Sequence, residues 1–364
     1  MPAPPPPAPP AALPAPPAPA AEGLAPVGLL LPLSGPSAAL GQAMLNAAQM
    51  ALFDIADNPL RLLIRDTKGD PPTAAAAARS AIDGGAKLLL GPLLAAEVEA
   101  VKPVALEAGV PVLAFSTATQ LASEGTYLIG FQPQQEIGRV IAFAHARALD
   151  RVAVLAPRSP YGDIAIEAAQ DAVAAHGASL ARIGRYSPDD PPAELRDAIQ
   201  RFAAGGVAFD ALLIAEGGAK LREIAPLLPF DGIDPDKVKF LGTGLWDEPG
   251  LGTEPALEGG WYAAPDPTLR AAFTERFAAL YKRPPLRLAT LGYDATALAG
   301  VLARNGADFS AAALTNPSGF AGLDGIFRLL PTGLVQRGLA VLEVHRGAAT
   351  VLDPAPNTFE HLGE

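Results

Sequence analysis

The stretch from Val27 to Gln49 constrains the fold of this chain more than any other. An unbroken apolar run, Val27 to Leu33, meets a turn of sequence Ser-Gly-Pro-Ser, and apolar residues then recur at helical spacing. A strand with apolar side chains on both faces belongs in a parallel sheet that helices cover. The pattern therefore predicts an α/β fold. Ser34, in the turn, lies where the carboxyl ends of parallel strands bind ligands.

The same alternation of strand and helix continues along most of the chain. It occurs as one series before Pro133 and as a second series after it, which predicts two lobes. Strands are predicted at 61–67, 86–91, 110–116, 127–131, 151–157, 179–186, 210–216, 239–246, 334–344 and 348–352, the last two as a hairpin. Helices are predicted at 72–84, 94–108, 134–149, 163–176, 193–204, 219–228, 269–281 and 286–304.

Composition limits the classes of partner. The chain has 364 residues, of which 50% are hydrophobic, so it can bury the cores of two domains. Its formal net charge of −11 gives no electrostatic footprint for nucleic acid or for an anionic membrane surface. It has no cysteine, which excludes disulfides and thiolate sites but leaves the redox compartment open.

Residues 1–23 are almost entirely proline and alanine. Proline fixes φ and removes a hydrogen-bond donor, so this segment is predicted to be a disordered, extended tether. No apolar region follows a basic one, so no signal peptide is visible, and no apolar run is long enough to span a bilayer. A spacer of this kind suits a protein that is anchored at its N-terminus and held away from a membrane, although a leader without a purpose remains the alternative.

Motifs that would indicate catalysis are missing from the sequence. Residues 35–41 lack the Lys-Ser/Thr pair of a phosphate loop, the four histidines have no metal-ligand spacing, and no serine has a visible base. Carboxylates near strand ends, such as Asp66 and Glu216, are more typical of helix caps and solvated loops than of an acid–base pair. We therefore expect no enzyme activity, no catalytic residue, no cofactor and no metal site.

Several short motifs occur in an order that resembles the type 1 periplasmic binding proteins of the leucine/isoleucine/valine-binding kind. They are PLSG at 32–35, GP at 91–92, VPVLAFSTAT at 110–119, SPYG at 159–162 and GYDA at 292–295. The resemblance implies two three-layer α/β/α lobes with parallel sheets, joined by a hinge that the chain crosses three times, with a ligand cleft between them. The expected lobes are residues 24–133 with 268–325, and residues 134–267 with 326–364.

Other segments resemble more closely the penicillin-binding protein activators, which are exported lipoproteins. These segments are 91–94, 155–162, 241–251, 257–265 and 322–344. The resemblance implies a non-enzymatic protein of the periplasm, tethered as a lipoprotein, whose partner is a peptidoglycan synthase. Some activators carry a helical-repeat domain ahead of the lobes; we expect none here, so partner contacts made through that domain are not carried over. The alternative is a solute-binding receptor of an ABC transporter, with an ABC permease as partner and an amino acid or another small polar molecule as ligand.

The family resemblance also implies a ligand site. Its residues are Ser34, Ser116, Thr117, Ala118, Thr119, Tyr161, Gly162, Glu216 and Trp246. In amino-acid receptors a hydroxyl after the GP turn helps to hold the ligand carboxylate, and an acid of the second lobe pairs the ammonium. Here Leu93 to Ala96 and Thr243-Gly244 occupy those positions, and Glu216 is the one candidate to replace the acid. We therefore expect a neutral or anionic ligand, because a buried ammonium without a partner is costly.

Overall fold

The computed structural model describes residues 23–55 and 59–359, so the predicted tether lies outside the described residues except for Gly23. The strands are β1 Ala25–Leu31, β2 Leu60–Asp66, β3 Leu89–Leu90, β4 Val112–Ala114, β5 Thr126–Leu128, β6 Arg151–Pro157, β7 Ser179–Tyr186, β8 Ala211–Ile214, β9 Lys239–Gly242, β10 Trp261–Ala264, β11 Phe320–Gly322, β12 Gly325–Leu329, β13 Val335–Arg337, β14 Ala340–Glu343 and β15 Thr350–Asp353. The helices are α1 Ala38–Asp54, α2 Pro71–Asp83, α3 Ala95–Glu107, α4 Pro133–His145, α5 Pro160–Ala175, α6 Pro192–Ala203, α7 Gly218–Ile224, α8 Leu227–Phe230, α9 Ala271–Tyr281, α10 Ala289–Arg304 and α11 Ala311–Leu314.

The first sheet has five strands in the order β2-β1-β3-β4-β5, and all of its pairings are parallel. In β1, Leu29 and Leu31 face a core that includes α1 and α10, whereas Leu30 faces a core made with α2 and α3. Because successive side chains of a strand point to opposite faces, the unbroken apolar run supplies both cores.

The second sheet has seven strands in the order β15-β14-β10-β9-β8-β6-β7. The pairings among β6 to β10 are parallel, and β14 and β15 extend the sheet by antiparallel pairing. Helices α4 and α5 cover one face, and α6, α7 and α8 lie over the other. The molecule is therefore built of two α/β/α lobes, which confirms the predicted fold class.

The chain passes between the two lobes more than once. After β10 it returns to the first lobe, where Phe273 and Phe277 of α9 pack against Ala43, Ala47 and Met50 of α1. The small antiparallel sheet β11-β12-β13 also contributes to the core of the first lobe, and the chain then enters β14 of the second sheet. The described chain thus has three crossings: before α4, between β10 and α9, and between β13 and β14.

Two predicted strands differ from the structure. The prediction of one strand over 334–344 is wrong, because β13 and β14 belong to different sheets and Gly338 lies between them. A Cβ at Gly338 would lie 2.9 Å from the Ile326 side chain, so this close passage favours glycine. The strand predicted over 239–246 ends at Gly242 and continues as a 3-10 turn, Gly244–Trp246. Among the described residues, no helix combines the length and the apolar character needed to cross a membrane.

Candidate functional site

The loop after β1 is tied to the end of β2 by one carboxylate. The hydroxyl of Ser34 donates to Asp66 Oδ2 at 2.6 Å, and the backbone N–H of Leu33 donates to Asp66 Oδ1 at 2.8 Å. Partial burial acts to raise the pKa of Asp66, but these hydrogen bonds and one from the Lys68 backbone hold it below its ordinary value. The hydroxyl of Ser34 is therefore engaged within the first lobe.

The loop after β4 carries the other predicted residues of the first lobe. Ser116 is buried, and its Oγ accepts a hydrogen bond of 3.1 Å from the backbone N–H of Ala118. Thr117 is exposed, and Thr119 is half-buried at the start of a 3-10 turn, Thr119–Leu121. Ser116 thus shapes the loop, while the hydroxyls of Thr117 and Thr119 remain accessible at the carboxyl edge of the sheet.

In the second lobe, the loop after β6 leads directly into α5. Ser159 caps the helix by accepting from the Gly162 N–H at 3.2 Å, and a Cβ at Gly162 would lie only 2.0 Å from the carbonyl oxygen of Pro157. Tyr161 is half-buried, and its hydroxyl donates to Thr243 Oγ1 at 2.7 Å. Two of the segments that the sequence singled out are therefore in direct contact at the carboxyl ends of β6 and β9.

Glu216 lies at the end of the neighbouring strand, β8. Its carboxylate accepts from the hydroxyl of Tyr186 and, at 3.1 Å, from the backbone N–H of Gly217. Trp246 is fully buried, and its indole N–H donates to the Glu216 carbonyl at 3.1 Å. Trp246 packs closely on Gly242 and Gly260, so it supports this edge from beneath and offers no exposed ring to a ligand.

One acidic residue at this edge was missed by the sequence reasoning. Glu136, in the first turn of α4, is 6% exposed, and its Oε2 accepts from the Gly244 N–H at 2.8 Å. Burial raises the pKa of Glu136 to about 7. No sequence signal pointed to it, because an acid in a helix first turn is commonplace and Glu136 lies 108 positions from Gly244.

A group of ion pairs lies near the crossings. Asp247, which follows β9, accepts from Arg270 and, at 2.6 Å, from Arg287. Arg287 also pairs with the fully buried Asp324 at 2.9 Å. Asp247, Arg270 and Arg287 border a cavity of about 340 Å³. Of the predicted site residues, Trp246 alone lines that cavity. Within residues 23–55 and 59–359, no group of three or more His, Asp or Glu side chains could hold a metal ion.

The structure thus joins Tyr161, Gly162, Glu216 and Trp246 at one edge of the second sheet. It places Ser34 and the loop 116–119 at the carboxyl edge of the first sheet, where β1 and β4 end. Of these residues, Ser34, Ser116, Tyr161, Glu216 and Trp246 each use a polar group on a protein partner. The hydroxyls of Thr117, Thr119 and Tyr161 and the Glu216 carboxylate are nevertheless of the kind that fixes the orientation of a small polar molecule.

Solved structures with the same fold were found for this chain. A protein from Rhodospirillum rubrum, described as a branched-chain amino acid ABC transporter, is 22% identical over 90% of this chain and 100% of its own, with a TM-score of 0.78. A leucine-binding protein from Thermotoga maritima is 20% identical over 91% and 99% of the two chains, with a TM-score of 0.67. An ABC-transporter solute-binding protein from R. palustris, in complex with benzoate, is 20% identical over 92% and 97%, with a TM-score of 0.67.

Because these structures are only 20–22% identical to this chain, their similarity shows the fold alone. No curated protein matches the sequence. The family assignment comes from a sequence-family model described as periplasmic binding protein, which matches residues 25–349. That match covers the first sheet, the second sheet except its edge strand β15, and all three crossings between the lobes. The chain therefore belongs to the periplasmic binding protein family.

Proposed function

We propose that this protein is a solute-binding receptor of an ABC transporter, which binds a small polar molecule between its lobes and delivers it to a permease. The observation that carries the proposal is the pair of hydroxyl-bearing loops, 116–119 and 159–161, at the carboxyl ends of parallel strands in two different sheets. Family membership, which implies a periplasmic location, supports it. We propose that the protein works without catalysis.

The proposed site uses residues of both lobes. Thr117 and Thr119 contact the solute from the first lobe, and Tyr161 and Glu216 contact it from the second. The lobes follow the expected division, residues 24–133 with 268–325 and residues 134–267 with 326–364, except that β12 and β13 stay with the first lobe and the third crossing follows β13. The three crossings act as the hinge. Hinge closure around the solute is the motion by which such two-lobed receptors bury a ligand.

A binding screen tests this function. The Tm of the purified protein is measured with each of the twenty L-amino acids, benzoate and hydroxybenzoates. Solutes that raise Tm are then titrated by calorimetry. We expect at least one solute to raise Tm and to bind with a Kd in the micromolar range or below, about −8 kcal/mol or stronger. Failure of the whole panel to bind would contradict the proposal.

A pair of tyrosine variants locates the binding. Tyr161→Phe removes the hydroxyl that contacts Thr243, and we expect it to weaken binding about tenfold, which is about 1.4 kcal/mol. Tyr281→Phe is the matched control, because its hydroxyl donates to the Asn46 carbonyl on α1 and α9 lies away from the proposed site. An equal effect of the two variants would argue against a site at Tyr161.

A second candidate function is activation of a peptidoglycan synthase by a tethered lipoprotein. The segments 241–251 and 322–344 favour it, but the comparisons support the transporter receptor better, since the similar structures are described as ABC-transporter proteins. Glycan polymerisation by a purified synthase, measured with and without this protein, separates the two. A rate increase that needs no solute would favour the activator.

A further inference from the structure

A cavity of about 490 Å³ lies in the first lobe, apart from the cavity beside Asp247. Its wall is formed by part of α3, the turn at 109–111, the segment 123–127 that leads into β5, and residues 309–311. Pro111 and Gly125, which belong to this wall, directly precede β4 and β5. The cavity therefore lies at the amino edge of the first sheet, whereas the loop 116–119 lies at the carboxyl edge. Its volume is in the range of small-molecule sites.

Most of the surface that lines this cavity is apolar. The apolar residues of the wall include Ala105, Leu106, Val110, Pro111 and Phe309. Ala105 and Phe309 are buried, but Leu106 is 74% exposed. Contact with an apolar molecule would remove part of the Leu106 side chain from water, which is favourable. The wall therefore favours a ligand with an apolar body.

The hydroxyl of Tyr127 is a buried polar group beside this cavity that the protein leaves without a partner. Tyr127 lines the cavity and is 0% exposed, and among the described residues its hydroxyl makes no hydrogen bond. Burial raises the pKa of this hydroxyl, and the Gly125 backbone acts to lower it, but no acceptor takes its proton. Buried polar groups are nearly always hydrogen-bonded. The ligand is therefore expected to supply an acceptor.

The charges of the wall indicate which kind of acceptor fits. Lys102 and Glu124 border the cavity and carry opposite charges. The Lys102 ammonium already donates to the Leu121 carbonyl at 3.0 Å. The negative charge of Glu124 acts on the Tyr127 hydroxyl and adds to the rise of its pKa. A carboxylate or phosphate beside that hydroxyl would be repelled by Glu124, so the acceptor should be an uncharged oxygen.

We propose that this cavity is a second ligand site, which binds an uncharged, mainly apolar molecule whose carbonyl oxygen accepts a hydrogen bond from the Tyr127 hydroxyl. None of the residues proposed to contact the transported solute lines it. The inference therefore goes beyond the proposed receptor function and does not depend on it. A molecule bound here would contact α3, the segment before β5 and residues 309–311 at once, and would stabilise the first lobe by mass action.

The test uses three aromatic probes of similar shape. Acetophenone carries a neutral carbonyl, α-methylstyrene has a methylene group in place of the carbonyl oxygen, and benzoate carries a charged acceptor. Binding is followed by NMR through the methyl signals of Leu106, which are assigned by their loss in Leu106→Val. Since Leu106 lines the cavity, binding elsewhere on the protein does not enter the result. The titrations are carried out on the wild-type protein and on Tyr127→Phe.

We expect acetophenone to bind the wild-type protein with a Kd of about 1 mM or below, about fivefold or more tightly than α-methylstyrene, and more tightly than benzoate. Tyr127→Phe should weaken acetophenone to the affinity of α-methylstyrene and leave α-methylstyrene unchanged. Tyr281→Phe is the matched control and should behave as wild type, because its hydroxyl donates to the Asn46 carbonyl and it does not line the cavity.

Four results would overturn the inference: no shift of the Leu106 signals, equal affinity for acetophenone and α-methylstyrene, tighter binding of benzoate, or a preference for acetophenone that survives in Tyr127→Phe. Tyr127→Phe removes a hydroxyl that has no protein partner, so it is expected to fold as the wild type does. A thermal unfolding curve checks this. Unchanged binding of α-methylstyrene by the variant shows in addition that the cavity itself is intact.

Discussion

Two glycines set the turns from which the predicted site extends. A Cβ at Gly41 would lie 2.1 Å from the Pro32 carbonyl oxygen, and one at Gly162 would lie 2.0 Å from that of Pro157. Each glycine lies near the start of the helix that follows the first strand of its lobe, α1 or α5. In both lobes, therefore, the helix approaches the strand end so closely that there is no room for a side chain.

Replacing Gly162 by alanine tests this approach. Alanine in a helix is ordinarily favoured over glycine by about 0.5–1 kcal/mol, but here the added methyl meets a backbone oxygen that cannot move aside easily. We expect Gly162→Ala to lower the free energy of unfolding by about 1–3 kcal/mol in urea titrations. Gly138→Ala in α4 is the control and should be neutral or stabilising, because nothing lies within 4 Å of its Cβ. Equal stability of the two variants would contradict the argument.

The buried Glu136 makes stability depend on pH. Burial raises its pKa from 4.5 to about 7; the Gly244 N–H, Arg287 and Arg337 act to lower it, and Asp247 acts to raise it. The folded protein therefore holds this proton more tightly than the unfolded chain. The contribution is fully present below pH 4.5 and is lost as the pH rises through about 7.

Comparison with Glu136→Gln isolates that contribution. The free energy of unfolding of the wild type, minus that of the variant, should fall as the pH rises from 4 to 8 and then level off. The total change should be on the order of 3 kcal/mol, at 1.36 kcal/mol per pKa unit. Other titrating groups are common to both proteins and largely cancel. A difference that does not change with pH would show that burial leaves the Glu136 proton unperturbed.

The sequence could place a residue in the site where that placement depends on neighbouring residues, but not where it depends on residues far along the chain. Tyr161 and Glu216 lie just after β6 and β8, at positions that local sequence patterns could indicate. The contact of Tyr161 with Thr243 joins distant segments and was not predicted. Glu136 could not be found in this way, because its role depends on the absence of a side chain at Gly244, far along the chain. The burial of Trp246 was missed for the same reason, since it depends on Gly242 and Gly260.

At the scale of elements, α10 shows how a distant helix completes a core. Its buried residues, among them Leu291 and Leu298, join the core formed by β1 and α1. Gly292 allows the close approach, because a Cβ there would lie 2.5 Å from the Met44 carbonyl oxygen of α1. The stability of the first lobe thus depends on a helix more than two hundred positions away from that strand.

Two truncations in α10, one of a buried and one of an exposed side chain, test this dependence. Leu298 is 2% exposed, and Leu298→Ala should lower the free energy of unfolding by about 2–5 kcal/mol through lost burial and the cavity left behind. Val301 is 41% exposed, so Val301→Ala should change stability by less than about 0.5 kcal/mol. Both are measured by urea unfolding, and a comparable loss in each would indicate that the burial of Leu298 does not anchor α10.

Most elements were predictable from hydrophobic periodicity, and β6 and β7 agree to the residue. Errors occur where tertiary structure overrides a local pattern. The apolar run 334–344 has the pattern of one strand, but its two halves pair with different partners, β12 and β10. The sequence of a single strand does not show which strands it pairs with. The break between β13 and β14 at Gly338 therefore could not be predicted from the sequence.

At the scale of the whole molecule, the contacts among the crossings hold the lobes in one arrangement. Near α4, Gln135 donates to the Val335 carbonyl and accepts from the Arg337 N–H, which ties the first crossing to the third. Near the second crossing, Asp247 of the segment after β9 is bound by Arg270 and Arg287, which lie beside α9 and α10. The second lobe is therefore linked to helices of the first lobe by a largely buried charge group.

Asp247→Asn should loosen this arrangement. The Asp247 side chain is 8% exposed, and removing one partner of a buried ion pair typically costs about 3–5 kcal/mol because the remaining charges stay buried. We expect the variant to populate lobe arrangements that the wild type does not. The sequence has no cysteine, so cysteines introduced at the exposed Glu99 in α3 and Glu167 in α5 can carry a fluorescent donor and acceptor, one on each lobe.

Single-molecule energy transfer between these two dyes then reports the distance between the lobes. In Asp247→Asn the distribution of distances should broaden or shift its mean, and at saturating solute it should return toward that of the ligand-bound wild type if closure supplies the missing contacts. Asp234→Asn is the control, because among the described residues the one ion pair of Asp234 is with the nearby surface residue Lys237, and such a pair contributes little. Identical distributions for wild type and Asp247→Asn would show that the Asp247 ion pairs do not set the angle between the lobes, and that the hinge angle is fixed by the backbone crossings alone.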